Sequence, residues 1–271
     1  MNINFDIVIN SDDHQVDMDY GLKTLAGTSR VVSTLAEAIL KQEVSERRTS
    51  VNDIRTQLKQ SFKSSYGQNF CIEINDPVLK RKLKKMGNDV FCEVMSYFIA
   101  ESLFLEPNKM SASASAVVAE LEEIEDKLLD VLRRALVDMH KITTMSSFNV
   151  ELNHKPRGDK TRIAMLTPKT AKHITETEEG KREYQITVIF TRFNLMTGNG
   201  RLIVEGEDHT TAFGLAKGLR YVPLNFKKKI TENLHKNNGL GKDNWDYITL
   251  TVHDLKLGSG EVVKYFIHEI F

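Results

Sequence analysis

The stretch that decides the fold is residues 117–139, VVAELEEIEDKLLDVLRRALVDM, together with the change of pattern after it. Its apolar residues recur every three or four positions, which is typical of a helix that buries one face. From Tyr184 onward apolar residues alternate two by two, as in YQITVIF at 184–190, which is typical of half-buried strands. The sequence therefore predicts an α+β protein with a long helix in its first part and a β-rich second part.

We expect the two parts to be separate domains. Residues 1–150 would form a mixed domain, in which a small sheet containing a strand at 3–9 (INFDIVI) and a hairpin within 54–74 packs against helices. Residues 151–271 would form a small barrel or a strongly bent sheet of short strands with one helix over 223–236. The boundary is expected between about 145 and 160, where prolines and glycines interrupt both patterns.

Composition favours an ordinary globular protein. The 271 residues are 41% hydrophobic and 27% charged, and 37 basic residues balance 37 acidic ones, so any preference for a charged partner must come from local clusters. Cys71 and Cys92 have no zinc or redox spacing and are expected to be reduced, structural residues in a cytoplasmic protein. No signal peptide and no membrane-spanning run is apparent.

The strongest charge anomaly lies between residues 217 and 242, where basic residues face a single acid, Glu232. Clustered cations neutralise phosphates, and the interleaved Tyr221 and Phe226 could stack on unpaired bases. The alternative is a solvated helix face with both aromatic residues in the core. The residues expected to contact DNA or RNA are Lys217, Arg220, Lys227, Lys228, Lys229 and Lys236.

A second basic cluster opens the helix expected after Pro77. Cations near a helix N-terminus oppose its dipole, so another source of stabilisation is expected. It could be the acidic start of the long helix at 120–126 or an external partner, either another protein or a second copy of this chain. The residues expected to bind a partner are Lys80, Arg81, Lys82, Lys84 and Lys85.

Catalytic signatures are weak, and we expect neither an enzyme nor a cofactor or metal. Residues 12–19 hold acids and His14 but lack the glycine and terminal glutamate of a calcium loop. His253 and His268 fall in alternating strands and are expected to be partly buried or surface residues. The runner-up function is a metal-dependent nuclease, and a third alternative is a regulatory domain that senses a small ligand. The nuclease would use Glu205, Glu207, Asp208 and His209.

The N-terminal half, with FDIVIN, a helix and then SSYGQNFCIEI, resembles uncharacterised bacterial proteins encoded in variable genomic islands. In those proteins the later strand resembles KGSFEI, whereas this chain has Tyr66-Gly67-Gln68-Asn69-Phe70. The resemblance covers about a third of the chain and implies an antiphage or other multi-gene context. We therefore expect a non-enzymatic binding subunit of a bacterial defence assembly, which contacts nucleic acid through its C-terminal basic patch and a protein partner through its N-terminal half.

Overall fold

The protein divides into two compact units in a computed structural model that describes residues 2–12, 15–45, 53–62, 66–156, 160–217 and 219–271. The first unit comprises Met1–Leu103 with Pro107–Thr175, and the second comprises Phe104–Glu106 with Glu176–Phe271. The predicted α+β class is confirmed, since the first unit combines a sheet with helices and the second is a barrel-like sheet with one α-helix.

The first unit is built on a five-stranded antiparallel sheet in the order β2-β3-β1-β4-β5. The central strand β1 is buried along most of its length, and its Phe5 ring stacks on Phe70 with 5.4 Å between centroids. The predicted first strand and the predicted hairpin are both confirmed, although Ser64 and Ser65 of the hairpin linker lie outside the described residues. The strands are β1 (Asn2–Ile9), β2 (Ile54–Phe62), β3 (Tyr66–Ile74), β4 (Val150–His154) and β5 (Thr161–Leu166).

Seven α-helices accompany this sheet in the described residues. The longest helix, α1 (Met18–Lys41), packs closely on the end of α5 (Glu125–Met139), where the two backbones approach each other at Gly27. A hydrogen bond adds to this contact, in which the backbone N–H of Ile142 donates to Thr24 Oγ1 at 3.0 Å. The helices are α1 (Met18–Lys41), α2 (Pro77–Met86), α3 (Asn88–Ser102), α4 (Ala112–Glu120), α5 (Glu125–Met139), α6 (Lys141–Ser146) and α7 (Pro168–Thr175).

Residues 117–139 are mostly helical, as the apolar stripe predicts, but they do not form one continuous helix. A short 3-10 turn at Glu122–Ile124 separates α4 from α5, in the part of the sequence where acidic residues are most crowded. Like charges at neighbouring helix positions repel one another, which weakens a continuous helix there. Leu128 and Leu132 are fully buried as the stripe predicts, whereas Val137, which appeared to widen the stripe, is 41% exposed.

The units divide between Thr175 and Glu176, later than the boundary expected between residues 150 and 151. The reason is strand pairing. β4 pairs with β1 along its whole length, with Phe5 opposite His154, and β5 pairs with β4. Residues 151–175 therefore complete the N-terminal sheet and its last helix, and the C-terminal unit begins after them.

Replacing Gly27 by alanine should destabilise the first unit. A Cβ at this position would lie 2.7 Å from the Cα of Met139 and closer still to its backbone nitrogen, so one of the two helices would have to shift. We expect a loss of about 1–3 kcal/mol in the free energy of unfolding, measured by urea denaturation.

The matched control for this change is Gly21→Ala in the same helix. A Cβ there would approach only a methyl group of Val16, at 3.2 Å, while alanine gains up to about 1 kcal/mol in helix propensity. The control should therefore change stability little. Equal stability of the two variants would contradict a close backbone contact at Gly27.

A buried histidine joins three helices of the first unit. His140 lies between α5 and α6, is fully buried, and its Nδ1–H donates to the carbonyl of Leu136 at 2.8 Å. Its Nε2 lies 2.9 Å from the hydroxyl of Thr170 in α7, which donates to the neutral ring. Burial lowers the pKa of His140 to about 4, and the nearby His173 lowers it further while the bond to Leu136 opposes the change.

This lowered pKa predicts that acid destabilises the first unit. Between about pH 6.5 and pH 4 the unfolded chain binds a proton at His140 that the folded chain does not bind, so the free energy of unfolding falls as the pH falls. The loss attributable to His140 should total about 3 kcal/mol. Urea denaturation of the wild type and of His140→Gln should show a stability difference that is largest near neutral pH and shrinks towards pH 4, and a constant difference would contradict the prediction.

The second unit is a closed barrel of five strands, with a short sixth strand paired outside it. β11 pairs in parallel with β9 and antiparallel with β10, which joins β7-β8-β9-β11-β10 into a ring. The predicted helix over 223–236 is confirmed as α8. The elements are β6 (Thr177–Glu179), β7 (Tyr184–Phe193), β8 (Gly200–Val204), β9 (Thr211–Leu215), α8 (Leu224–Asn237), β10 (Ile248–Leu257) and β11 (Val262–Ile270).

The connections make this barrel a Greek key. β7, β8 and β9 follow one another as antiparallel neighbours, and the chain then returns through α8 so that β10 lies beside β7. A five-stranded Greek-key barrel is the architecture of the OB-fold, in which the face of the second and third strands commonly binds ligands. The side chains inside the barrel include Val188, Phe190, Leu202, Phe213, Leu250, Val252 and Ile267.

Candidate nucleic-acid interface

The interface predicted from sequence lies on α8 and on the segment that leads into it from β9. Lys227, Lys228, Lys229 and Lys236 belong to α8. Lys217 follows β9, and Arg220 lies in a short 3-10 turn at Leu219–Tyr221. The structure therefore brings all six predicted residues onto one helix and its lead-in segment.

Two asparagines and one isoleucine fix α8 against the barrel. Ile230 is fully buried in the core. Asn233 Oδ1 accepts from the backbone N–H of Phe190 at 2.9 Å, and its Nδ2 donates to the carbonyl of Asp246 at 2.7 Å. Asn237 bonds both backbone groups of Asp246, at 3.0 and 2.7 Å. These buried hydrogen bonds connect α8 to β7 and to the segment before β10, so the basic face has a defined position.

Two of the six predicted residues are already engaged within the protein. Lys229 Nζ donates to the carbonyl of Ile270 at 2.8 Å, which connects α8 to the end of β11. Lys236 forms an ion pair with Asp246 at 3.1 Å, and the hydrogen bond to this carboxylate raises the pKa of Lys236. Lys229 and Lys236 therefore act first as internal contacts of the barrel.

The other four residues remain available. Within the described ranges, the charged groups of Lys217, Arg220, Lys227 and Lys228 form no ion pair and no hydrogen bond with another residue. The Arg220 guanidinium lies 5.8 Å from the centre of the Tyr221 ring, which is a cation–π distance. These cations therefore face solvent rather than internal acids.

An open groove of about 470 Å³ lies between the start of α8 and the last residues of β11. Lys217 lines it together with Tyr221 and Phe226, and Phe271 lines the opposite wall. Tyr221 is 71% exposed and Phe271 is 58% exposed, whereas Phe226 packs against the barrel core. Of the two aromatic residues noted in the sequence, Tyr221 is thus free to stack on a ligand and Phe226 is part of the support.

The second basic cluster occupies the surface of α2. Asp76 caps this helix by accepting from the N–H groups of Val78 and Leu79 at 2.7 and 2.8 Å, and only Leu83 of the helix is buried. In the part of the chain that the structure describes, none of the five cations pairs with an acid, so the acidic run at 120–126 does not neutralise them. The cluster is Lys80, Arg81, Lys82, Lys84 and Lys85.

The residues of the nuclease alternative do not assemble into a metal centre. They form the turn between β8 and β9, where Asp208 pairs with Lys242 and His209 lies 3.5 Å from Glu207. Over the described residues, no group of three or more His, Cys, Asp or Glu side chains is placed to hold a metal ion. In the acidic segment near the N-terminus, Asp13 and His14 lie outside the described residues, and Asp17 caps α1 through the N–H of Tyr20 at 2.9 Å.

A pocket of about 240 Å³ in the first unit brings Cys92, His154 and Asp89 together, which the sequence did not suggest. Burial raises the pKa of the Cys92 thiol to about 12, and the charge of Asp89 adds to this effect. Burial also lowers the pKa of His154. A neutral thiol beside a neutral imidazole is a poor nucleophile, so this pocket gives no support to thiol catalysis.

Sequence reasoning also missed a pair of histidines on the barrel. His253 of β10 and His268 of β11 are in contact, with 2.6 Å between Nδ1 of the first and Nε2 of the second. Little in the sequence signals this contact, because His253 lies five residues before the turn at Gly258-Ser259-Gly260 and His268 eight residues after it, and the register places Phe266 opposite His253.

No protein-family model, no curated protein and no solved structure matches this chain. Among the described residues, no helix has both the length and the apolar character needed to cross a membrane.

Proposed function

We propose that this protein is a cytoplasmic, non-enzymatic binding subunit that contacts nucleic acid through the C-terminal barrel and a protein partner through α2. The observation that carries the nucleic-acid role is the set of four unpaired cations, Lys217, Arg220, Lys227 and Lys228, beside a groove with exposed aromatic rings. For a role in an antiphage assembly, the support is the resemblance of the N-terminal half to genomic-island proteins.

The chemistry of the groove favours a single strand. Lys217 in the groove and the cations of the neighbouring residues can neutralise phosphates, while an exposed ring such as Tyr221 offers a surface on which an unpaired base stacks. In a duplex the base faces are covered by their neighbours, so an aromatic groove of this kind adds little to duplex binding. We therefore expect single-stranded DNA or RNA as the ligand.

The face that OB-fold barrels commonly use is occupied in this protein. On the outer side of β8 and β9, Arg201 is only 3% exposed and Ala212 is 7% exposed. The Arg201 guanidinium donates to the carbonyl of Leu105, which belongs to the same compact unit, and to Thr210 Oγ1 at 3.2 Å. Its donors are thus directed at the protein itself, which leaves the groove beside α8 as the better candidate surface.

The nucleic-acid role is tested by replacing Lys217, Arg220, Lys227 and Lys228 with alanine in one variant. Affinity for a fluorescent oligonucleotide, measured by anisotropy, should fall, and the slope of log affinity against log salt should decrease by about 0.7 per lost contact on a single strand. Lys229 is left unchanged because it bonds the end of β11. Stability should change little, since exposed cations contribute little to it.

The matched control replaces Lys236 and Lys242, which already pair with Asp246 and Asp208 in the same unit. This double alanine variant should keep most of the affinity and the salt slope. If the wild type binds no DNA or RNA at low salt, or if the control loses as much affinity as the fourfold variant, the proposed interface is wrong.

The partner role of α2 is tested by reversing charge at Lys84 and Lys85, both exposed in the last turn. Charged residues at the rim of an interface control association. Glu at these positions should therefore abolish a salt-sensitive complex with an acidic partner from the native host. If the partner is a second copy of this chain, the same change should abolish self-association measured by light scattering. Lys172→Glu, an exposed lysine of α7, is the control. A complex that survives both changes would exclude α2 as its contact surface.

A further inference from the structure

Four polar side chains form a row at the outer face of the β10–β11 hairpin. Two belong to the hairpin, His253 and His268, and two belong to the segment before β7, Glu179 and Glu183. His253 and His268 lie at the centre of the row, with side chains 13% and 23% exposed. Glu179 Oε1 lies 3.0 Å from Nε2 of His253, and Glu183 Oε1 lies 3.4 Å from Nδ1 of His268. The His253 ring stacks on Phe266, its partner across the hairpin, with 4.8 Å between centroids. Each imidazole thus has one nitrogen beside a carboxylate and the other nitrogen beside the second imidazole.

The two inner nitrogens share one hydrogen. An ionised carboxylate only accepts hydrogen bonds, so Nε2 of His253 carries a hydrogen for Glu179 and the inner Nδ1 of a neutral His253 is an acceptor. It lies 2.6 Å from Nε2 of His268, the distance of a short hydrogen bond in which His268 donates. A metal ion between the two inner nitrogens would replace this hydrogen bond, and the hydrogen of His268 would move to Nδ1, beside Glu183.

We propose that His253 Nδ1 and His268 Nε2 are the two protein ligands of a transition-metal site for a divalent ion of the Zn²⁺, Ni²⁺ or Cu²⁺ class. Imidazole nitrogens suit these ions, whereas Mg²⁺ and Ca²⁺ prefer oxygen ligands. Water completes the coordination sphere, because both rings are partly exposed and no group of three ligating side chains occurs in the described residues. His268 also lines the groove beside α8, but the metal site is argued from the two imidazoles and does not depend on the proposed nucleic-acid role.

The surroundings of the two rings match what such an ion requires. Metal-binding histidines commonly donate their other ring N–H to a carboxylate, which orients the ring and makes the ligating nitrogen more basic. Glu179 is placed to do this for His253, and Glu183 for His268. Two nitrogens bound to one tetrahedral zinc ion lie about 3.3 Å apart at ordinary bond lengths, so the rings need to separate by less than 1 Å. Both rings stand on the outer side of the barrel strands, with the His268 side chain the more exposed of the two.

The site is tested on the full chain after treatment with a chelator. Titration with Zn²⁺ against a chromophoric competitor should show one equivalent bound, and electron paramagnetic resonance of the Cu²⁺ form should show coupling to two imidazole nitrogens. His253→Gln and His268→Gln should each weaken binding at least about tenfold, and Glu179→Gln should weaken it about tenfold by removing the supporting carboxylate. His209→Gln, which changes an exposed histidine of the β8–β9 turn, should leave binding unchanged.

Three results would overturn the proposal. The first is the absence of stoichiometric binding of Zn²⁺ and Cu²⁺ to the wild type, which would mean that a shared proton alone joins the two rings. The second is binding that persists in both histidine variants. The third is a Cu²⁺ spectrum without two coupled nitrogens in the wild type. The spectrum needs no substitution, so the test remains valid even if a variant folds poorly.

Discussion

The second unit depends on the pairing of β11 with two strands at once. Its parallel pairing with β9 and antiparallel pairing with β10 close the ring, so the barrel has no free edge among these five strands. The groove beside α8 and the proposed metal site both involve β11, so both depend on this closure. The last residues of β11 form one wall of the groove beside α8, and the carbonyl of Ile270 accepts the hydrogen bond of Lys229. His268 belongs to the same wall and contacts His253.

The distribution of charge explains how a protein with formal net charge zero can present strongly basic surfaces. Within the described residues, no acid pairs with the cations of α2 or with Lys217, Arg220, Lys227 and Lys228, although Glu269 lines the groove beside α8. Asp246 pairs with Lys236 and Asp208 pairs with Lys242, at the far end of α8 and in the β8–β9 turn. Because exposed ion pairs add little to stability, the fold has little to gain from neutralising the remaining cations. Their potential is therefore available for binding, and it acts over about a Debye length at physiological salt.

The sequence predicts local structure well and long-range pairing poorly, for reasons visible in particular elements. Period-two alternation located β7, β10 and β11, and spacing of apolar residues located α8 and the buried Leu128. The pairing of β4 with β1 joins residues more than 140 positions apart, and no local pattern encodes it, so the domain boundary was expected too early. The same limitation applies to the candidate site. Composition identified the basic residues, but only the tertiary structure shows that Lys229 and Lys236 are engaged while Lys217 is free.

The binding surface that we propose for the barrel differs from the face that OB-folds commonly use. Arg201 lies on the outer face of the second and third barrel strands, β8 and β9, and its guanidinium bonds the carbonyl of Leu105, in the segment Phe104–Glu106 that belongs to this unit. A buried guanidinium whose donors are satisfied is costly to expose, because its hydrogen bonds would have to be replaced. A ligand competing for that face would meet this cost before making any contact of its own. The groove beside α8 carries no such cost, since its cations are already solvated and its Tyr221 ring is already exposed. This difference in cost favours the helix side of the barrel as the location of the proposed interface, over the face that the strand order would suggest.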